Sequence, residues 1–134
     1  MGSSSGSIAN SYSTGVINAT NCSACGGLIG ANSGNIETSY STGAVNASGG
    51  FEGGLIGDDS SAPASLSETY WDLDTSGIGD PGAGAGNARN DSGIAGLTDA
   101  QLKSGLPQGF SQRIWSQGAT VNNGYPFLLS NAPP

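Results

Sequence analysis

The sequence predicts an all-β chain. It reads as a β-solenoid (parallel β-helix) of about three coils of about 28 residues, closed by a short helix and C-terminal strands. Three observations carry this. Ser-Tyr-Ser-Thr-Gly occurs at Ser11–Gly15 and again 28 residues on, at Ser39–Gly43. Gly-Gly-Leu-Ile-Gly occurs at Gly26–Gly30 and again 27 residues on, at Gly53–Gly57. Between these landmarks no segment keeps apolar residues at i, i+3, i+4 and i+7, so an amphipathic helix would have no face to bury.

Each repeat instead holds short runs such as Ile8–Thr14, Gly15–Asn18 and Gly26–Gly30, bounded by Gly, Asn and Ser. β-Branched and aromatic residues suit a pleated strand, and Gly and Asn suit the turns between strands. One unit then supplies about three strands and three corners, too little to bury its own apolar residues. Stacking in register at a spacing of about 4.8 Å supplies main-chain hydrogen bonds and a narrow shared core. Ile8 is expected over Ile36, Tyr12 over Tyr40 over Tyr70, and Leu28-Ile29 over Leu55-Ile56. Alternation within the strands does not say which tyrosines point inward.

Taken in order, residues 1–6 (Met-Gly-Ser-Ser-Ser-Gly) read as a mobile tag or linker, with no signal peptide, and the chain as a piece of a longer array. Residues 7–79 are the solenoid repeats. The first coil carries Cys22-Ser-Ala-Cys25 just before its Leu-Ile strand. A redox C-x-x-C wants a βαβ context, and half a zinc site wants two more Cys or His; neither is present. A local disulfide closing a corner, or a pair of free thiols, remains. The second coil has Phe51 at the corresponding corner, then Asp58-Asp59 and Pro63.

The third, degenerate copy runs from Leu66 through Tyr70-Trp71 to Gly77. Its Asp72-Leu-Asp74-Thr-Ser76-Gly77 matches the first half of a calcium loop, but Ala83 stands where a bidentate Glu belongs. Asp72, Asp74 and Ser76 would therefore hold calcium weakly. A turn with side-chain-to-backbone hydrogen bonds is the competing reading.

Residues 80–93 read as loop, 94–130 as a closing segment and 131–134 as a tail. In the closing segment Thr98 and Gln101 form a capping box, Leu97 and Leu102 a hydrophobic staple, and Gly105 and Pro107 a stop. So short a helix must dock, and the end of the stack is the expected place. Phe110 to Leu129 is the densest apolar stretch and reads as one or two strands that finish the core.

Composition bounds the function. The net charge is −7, from ten carboxylates against three Lys and Arg, and there is no histidine. Nucleic acid and anionic membranes would find no basic patch, and no apolar run is long enough for membrane insertion. The commonest general base is missing. The only carboxylate clusters are Asp58-Asp59 and Asp72/Asp74, while Arg89, Arg113 and Lys103 are scattered, so the chain reads as not an enzyme.

The run Gly26–Val45, with its Gly-Gly-Leu-Ile-Gly, Asn-Ser-Gly and Ser-Tyr-Ser-Thr-Gly landmarks, resembles the GLUG-type repeat of large bacterial surface adhesins, including filamentous-haemagglutinin-like exoproteins. Tyr70-Trp71-Asp72, Thr75–Gly77, Gly96–Leu102, Gly109-Phe110, Trp115 and Gly124–Pro126 resemble the segment that often closes such arrays. Asp58-Asp59, where the first copy has Ala31-Asn32, and the inserted Cys22–Cys25 depart from the pattern. The resemblance implies a structural or adhesive segment of a secreted, cell-surface bacterial protein, with no cofactor. Its expected partners are neighbouring repeats of the parent chain and a host or surface glycan or protein. The alternative expectation is a glycan-binding module on the same fold, using exposed Tyr12, Tyr40, Tyr70 or Trp71 as platforms for sugar rings, with calcium at the Asp72 loop assisting.

Overall fold

A computed structural model describes residues Met1–Pro134. The chain is a β-solenoid of stacked parallel coils, and its longest helix has five residues. One face is a five-stranded sheet. Ile94–Leu97, Leu66–Asp72, Asn35–Ser41 and Ser7–Ala9 lie side by side in that order, and Tyr12–Ser13 also pairs with Asn35–Ser41. A second face stacks Ser3–Ser4, Ile29–Asn32 and Ile56–Asp59. Two-stranded ladders complete the coil: Ile17–Ala19 on Val45–Ala47, and Ala24–Gly26 on Phe51–Gly53.

The register is the one the repeats predict. Ile8 pairs with Ile36 and Ile36 with Leu66, Tyr12 with Tyr40 and Tyr40 with Tyr70, and Ile29 with Ile56. The offset falls from 28 at Ala19↔Ala47 to 27 at Ala24↔Phe51, so the first coil carries one more residue between these points than the second. The Cys22–Cys25 corner absorbs it.

Ile8, Leu28, Ile29, Ile36, Leu55, Ile56 and Leu66 form the interior core with Trp71. The glycines of Gly-Gly-Leu-Ile-Gly bring backbone against backbone at its edge. A Cβ on Gly53 would sit 1.8 Å from the Ile56 carbonyl oxygen, and one on Gly54 2.1 Å from the Trp71 ring. Neither position admits a side chain.

The long strands are kinked at one level. Asn10, Thr38 and Glu68 occupy equivalent places in three successive rungs, and all have positive φ, 49°, 45° and 50°. Left-handed backbone is uncommon outside glycine. Here it shifts the alternation of faces. Ile36 points into the solenoid, yet Tyr40, four residues on, points out of it, while Ser41 turns inward and donates to the Gly54 carbonyl at 2.9 Å.

The boundaries expected for the solenoid are corrected at both ends. Residues 1–6 are not a free tag or linker. Ser3–Ser4 pair with Ala31–Asn32, and the carbonyls of Met1, Gly2, Ser4 and Gly6 accept from Gly30, Ala31, Ser33 and Asn35. Gly2-Ser-Ser-Ser-Gly6 thus answers Gly30-Ala-Asn-Ser-Gly34, 28 residues on. Residues 80–93 are not simply loop. Ala83 to Gly86 continue the Gly-Gly-Leu-Ile-Gly ladder, with Ala85 bridging Ile56 and the Gly84 carbonyl accepting from Leu55 and Ile56.

The reason is volume. Trp71 stands in register with Ser41 and points into the core, where its ring would meet a Cβ on either Gly54 or Gly84. Small residues at 83–86 leave room for it. Ile94–Leu97, assigned to the closing segment, is a further rung that pairs with Thr69–Asp72.

Asp99–Lys103 is the predicted helix, with both hydrogen bonds of the Thr98–Gln101 capping box formed. Leu97 and Leu102 pack in one cluster. After it, Trp115–Ser116 and Phe127–Leu128 form a small antiparallel ladder. This closing segment does not cover the end of the stack, as expected, but its flank. Leu102, Phe110, Trp115 and Tyr125 pack on the outer face of the five-stranded sheet, where the outward tyrosines supply the apolar surface.

Candidate functional site

The four aromatic residues expected to carry a ligand are placed by the kink and by the closing segment. Tyr12 and Tyr40 stack with centroids 5.3 Å apart and planes 5° apart, continuing the ladder geometry of the backbone. Trp115 lies over both, at 5.9 and 6.0 Å, and Phe110 over Tyr40 and Tyr70, at 6.2 and 5.8 Å. Tyr40 has no exposed surface, and its hydroxyl donates to the Pro126 carbonyl beside Asn122. Tyr70 is buried and bonds Glu68 and the Gln108 carbonyl at 2.8 Å. Burial pushes both phenols well above their ordinary range, with the Tyr12 hydroxyl adding for Tyr40 and Glu68 adding for Tyr70. Trp71 is fully buried on the opposite, interior side. The tyrosine ladder is therefore a docking strip for the protein's own C-terminal segment. Only Tyr12 keeps partial exposure, and no sugar platform exists at these residues.

The Asp72 loop is also a structural device. Asp72 is fully buried. Its Oδ1 accepts the backbone N–H groups of Asp74 and Thr75 at 2.8 and 3.1 Å, and its Oδ2 lies 2.9 Å from the Tyr125 hydroxyl. Asp74 turns away to accept the Asp99 N–H at 2.9 Å, and Ser76 bonds the backbone of Ile78. The three oxygen donors thus serve different partners and do not converge, so the half-loop does not fit calcium. It is the competing turn, elaborated into a bolt between the third coil and the closing segment.

That bolt continues outward. The Tyr125 hydroxyl also contacts Asp99, Asp99 pairs with Lys103 at 3.0 Å, and the Lys103 ammonium sits 4.6 Å from the Tyr125 ring centre. The Tyr125 hydrogen bond and Lys103 hold the Asp99 carboxyl below the usual range, whereas burial and the two carboxylates drive the Tyr125 phenol far above its own. The sequence places Tyr125 in the turn before the last strand and Asp99 in the first turn of the helix, but gives neither a part in a site. A tyrosine beside a proline turn gives no sign that it will meet a carboxylate 53 residues back.

Cys22 and Cys25 are bonded to each other across their corner. Asp59 and Asp91 meet beside a groove of about 320 Å³ that also involves Ser61 and Ala88. Asp59 is tied to the Asn32 amide at 2.7 Å and the Ser61 hydroxyl at 2.8 Å, while one Asp91 oxygen is buried without a partner. Burial first, then the Asp59 carboxyl, pushes Asp91 up to about 6. Asp58 and Asp59 face different neighbours, and no basic residue joins them; the Arg89–Asp80 pair is exposed and separate. No three Cys, Asp or Glu side chains are grouped so as to hold a metal.

The class this geometry defines is a small parallel β-solenoid with an internally consumed aromatic strip. No family model, no curated protein and no solved structure matches the chain.

Proposed function

We propose that this chain is a structural segment of a secreted bacterial surface adhesin, a length of stalk that spaces or presents other parts of its parent at the cell surface. The observation that carries the reading is how the conspicuous side chains are used. The tyrosine ladder, Trp71 and the Asp72 loop all serve packing between coils and closing segment, and the faces left to solvent are ladders of Ser, Asn and Gly. Such repetition builds length and stiffness rather than a concave site. The GLUG-like spacing supports the same reading, and the partners it names are neighbouring repeats of the parent chain.

The test is binding of the folded chain to a broad glycan array, with and without calcium. A blank array from a sample with a cooperative β-sheet melt is the expected outcome. Saturable binding to one glycan class would replace the stalk reading with that of a glycan-binding module.

A further inference from the structure

The strand Ile94–Leu97 ends the five-stranded sheet, with Leu66–Asp72 on one side and no strand on the other. In a parallel ladder alternate residues bond a given neighbour. The Thr69 N–H donates to the Gly93 carbonyl and the Leu73 N–H to the Leu97 carbonyl, so residues 93, 95 and 97 face the sheet. The N–H and C=O groups of Ile94 and Gly96 point away from it and bond nothing in the chain. No chain terminus makes this edge. The residues that follow it turn back along the flank, over Tyr70, Tyr40 and Tyr12, and leave it open.

Beside the Ile94 end of the edge lies a groove of about 350 Å³. Leu66, Tyr70, Ile94 and Ala95 give it apolar walls, and Glu68 gives it a carboxylate. One Glu68 oxygen accepts from the Tyr70 hydroxyl at 2.8 Å, and the other is free. A lysine or arginine suits such a groove, since its aliphatic stem lies on apolar walls while its head meets the carboxylate.

The surroundings select the occupant by charge. Asp91 precedes the strand, Asp99 follows it, and Asp74 accepts the Asp99 N–H. Lys103, paired with Asp99, is the cation among them. Two copies set edge to edge would bring these carboxylates together, and like charge along an edge opposes pairing. A basic strand meets the opposite field.

We propose that Ile94–Leu97 takes up an extended basic segment of another protein as an added strand, with a Lys or Arg side chain in the Glu68 groove. Main-chain bonds at Ile94 and Gly96 supply the affinity, and the groove supplies the preference for a cation. The stalk reading neither requires nor excludes such a partner.

The experiment is a titration of the whole 15N-labelled chain, read from its amide resonances. The probe is a capped hexapeptide of alternating Lys and Val. Two control peptides accompany it, one with Glu in place of Lys and one N-methylated at every residue. Saturable shifts at Ile94, Ala95 and Gly96 are expected, with a Kd below about 1 mM at low salt, and none with either control. Glu68→Gln keeps an acceptor for Tyr70, and Ala95→Lys sets a cation at the groove. Each variant, once its melt is shown to match, should weaken binding about fivefold or more. No shift at these amides up to about 5 mM peptide overturns the proposal. So does binding that the N-methylated peptide or the folded variants keep in full, because the contact is then diffuse attraction to an acidic surface. If the same amides shift with protein concentration and no peptide, the occupant is a second copy and the proposal fails.

Discussion

The Tyr125 hydroxyl lies 2.9 Å from Oδ2 of Asp72, a carboxylate with no solvent exposure, and so joins the turn after the third coil to the segment that clads its flank. Asp72 spends its other oxygen on two backbone N–H groups. Tyr125→Phe leaves Oδ2 buried without a donor. The expected cost is about 1–3 kcal/mol, the penalty of an unsatisfied buried acceptor. Urea denaturation of the two proteins checks it, and a shift of under about 0.5 kcal/mol would show that the bolt is slack.

Tyr40 is the centre of the aromatic strip, in contact with Tyr12, Phe110, Trp115 and Tyr125. Truncation to Ala opens a cavity between sheet and closing segment and is expected to cost about 3–5 kcal/mol. Tyr40→Phe keeps the ring and gives up only the bonds to Pro126 and Asn122, about 1 kcal/mol. Amide hydrogen exchange at Trp115 and Phe127 should rise sharply in the Ala variant and little in the Phe variant. Equal protection in both would mean that the strip does not hold the segment down.

Thr38 is a β-branched residue at φ 45°, between Asn10 and Glu68 at the same level of the kink. Its hydroxyl donates to Asn10 Oδ1 at 2.7 Å, which offsets part of the strain. Thr38→Asn supplies a residue that tolerates this backbone and can still bond its neighbour, and should raise stability by about 1 kcal/mol. A midpoint in urea that falls instead would assign the Thr38 hydroxyl more weight than its backbone strain.

Asp91 gives a pH dependence of defined sign. Its folded value, about 6, lies above the ordinary 3.8, so the fold favours the protonated form. The contribution to stability is fully present below the unfolded value and is lost as pH rises through the folded one. Asp91→Asn removes that loss and can donate to Asp59. It should stabilise the protein by about 1 kcal/mol near pH 7.5, a figure reduced for solvent screening, with the difference vanishing near pH 3.5. A gain that is equal at both pH values would show that Asp91 titrates alike in the folded and unfolded chain. Asp99, held low by Tyr125 and Lys103, acts in the opposite sense and is common to both proteins.

Much of the coil was legible because in-register stacking repeats its own constraints. Ile8, Ile36, Tyr12 and Tyr40 fall where the 28-residue offset puts them, and the Thr98–Gln101 cap forms as its spacing requires. What was not legible depended on events at single residues. A strand that alternates strictly would set Ile36 and Tyr40 on one face, and three left-handed residues undo that. Gly-Ala-Gly-Ala-Gly at 82–86 looks like loop because the bulk its rung needs comes from Trp71, eleven residues before it. The polar loop at Asp72 carries oxygen at calcium-like spacing. Its true acceptor role rests on Tyr125, which local pattern cannot connect to it.

The cladding along the flank changes how the molecule comes apart. A bare stack touches only nearest neighbours, and its coils can peel from either end one at a time. Here the Trp115 indole N–H reaches Asn10, 105 residues away in sequence, and its ring spans Tyr12 and Tyr40. Fraying of the first coil therefore has to disturb the last strands as well. A one-dimensional array becomes an all-or-none unit, since the segment from Phe110 to Leu128 is a splint that ties the rungs together.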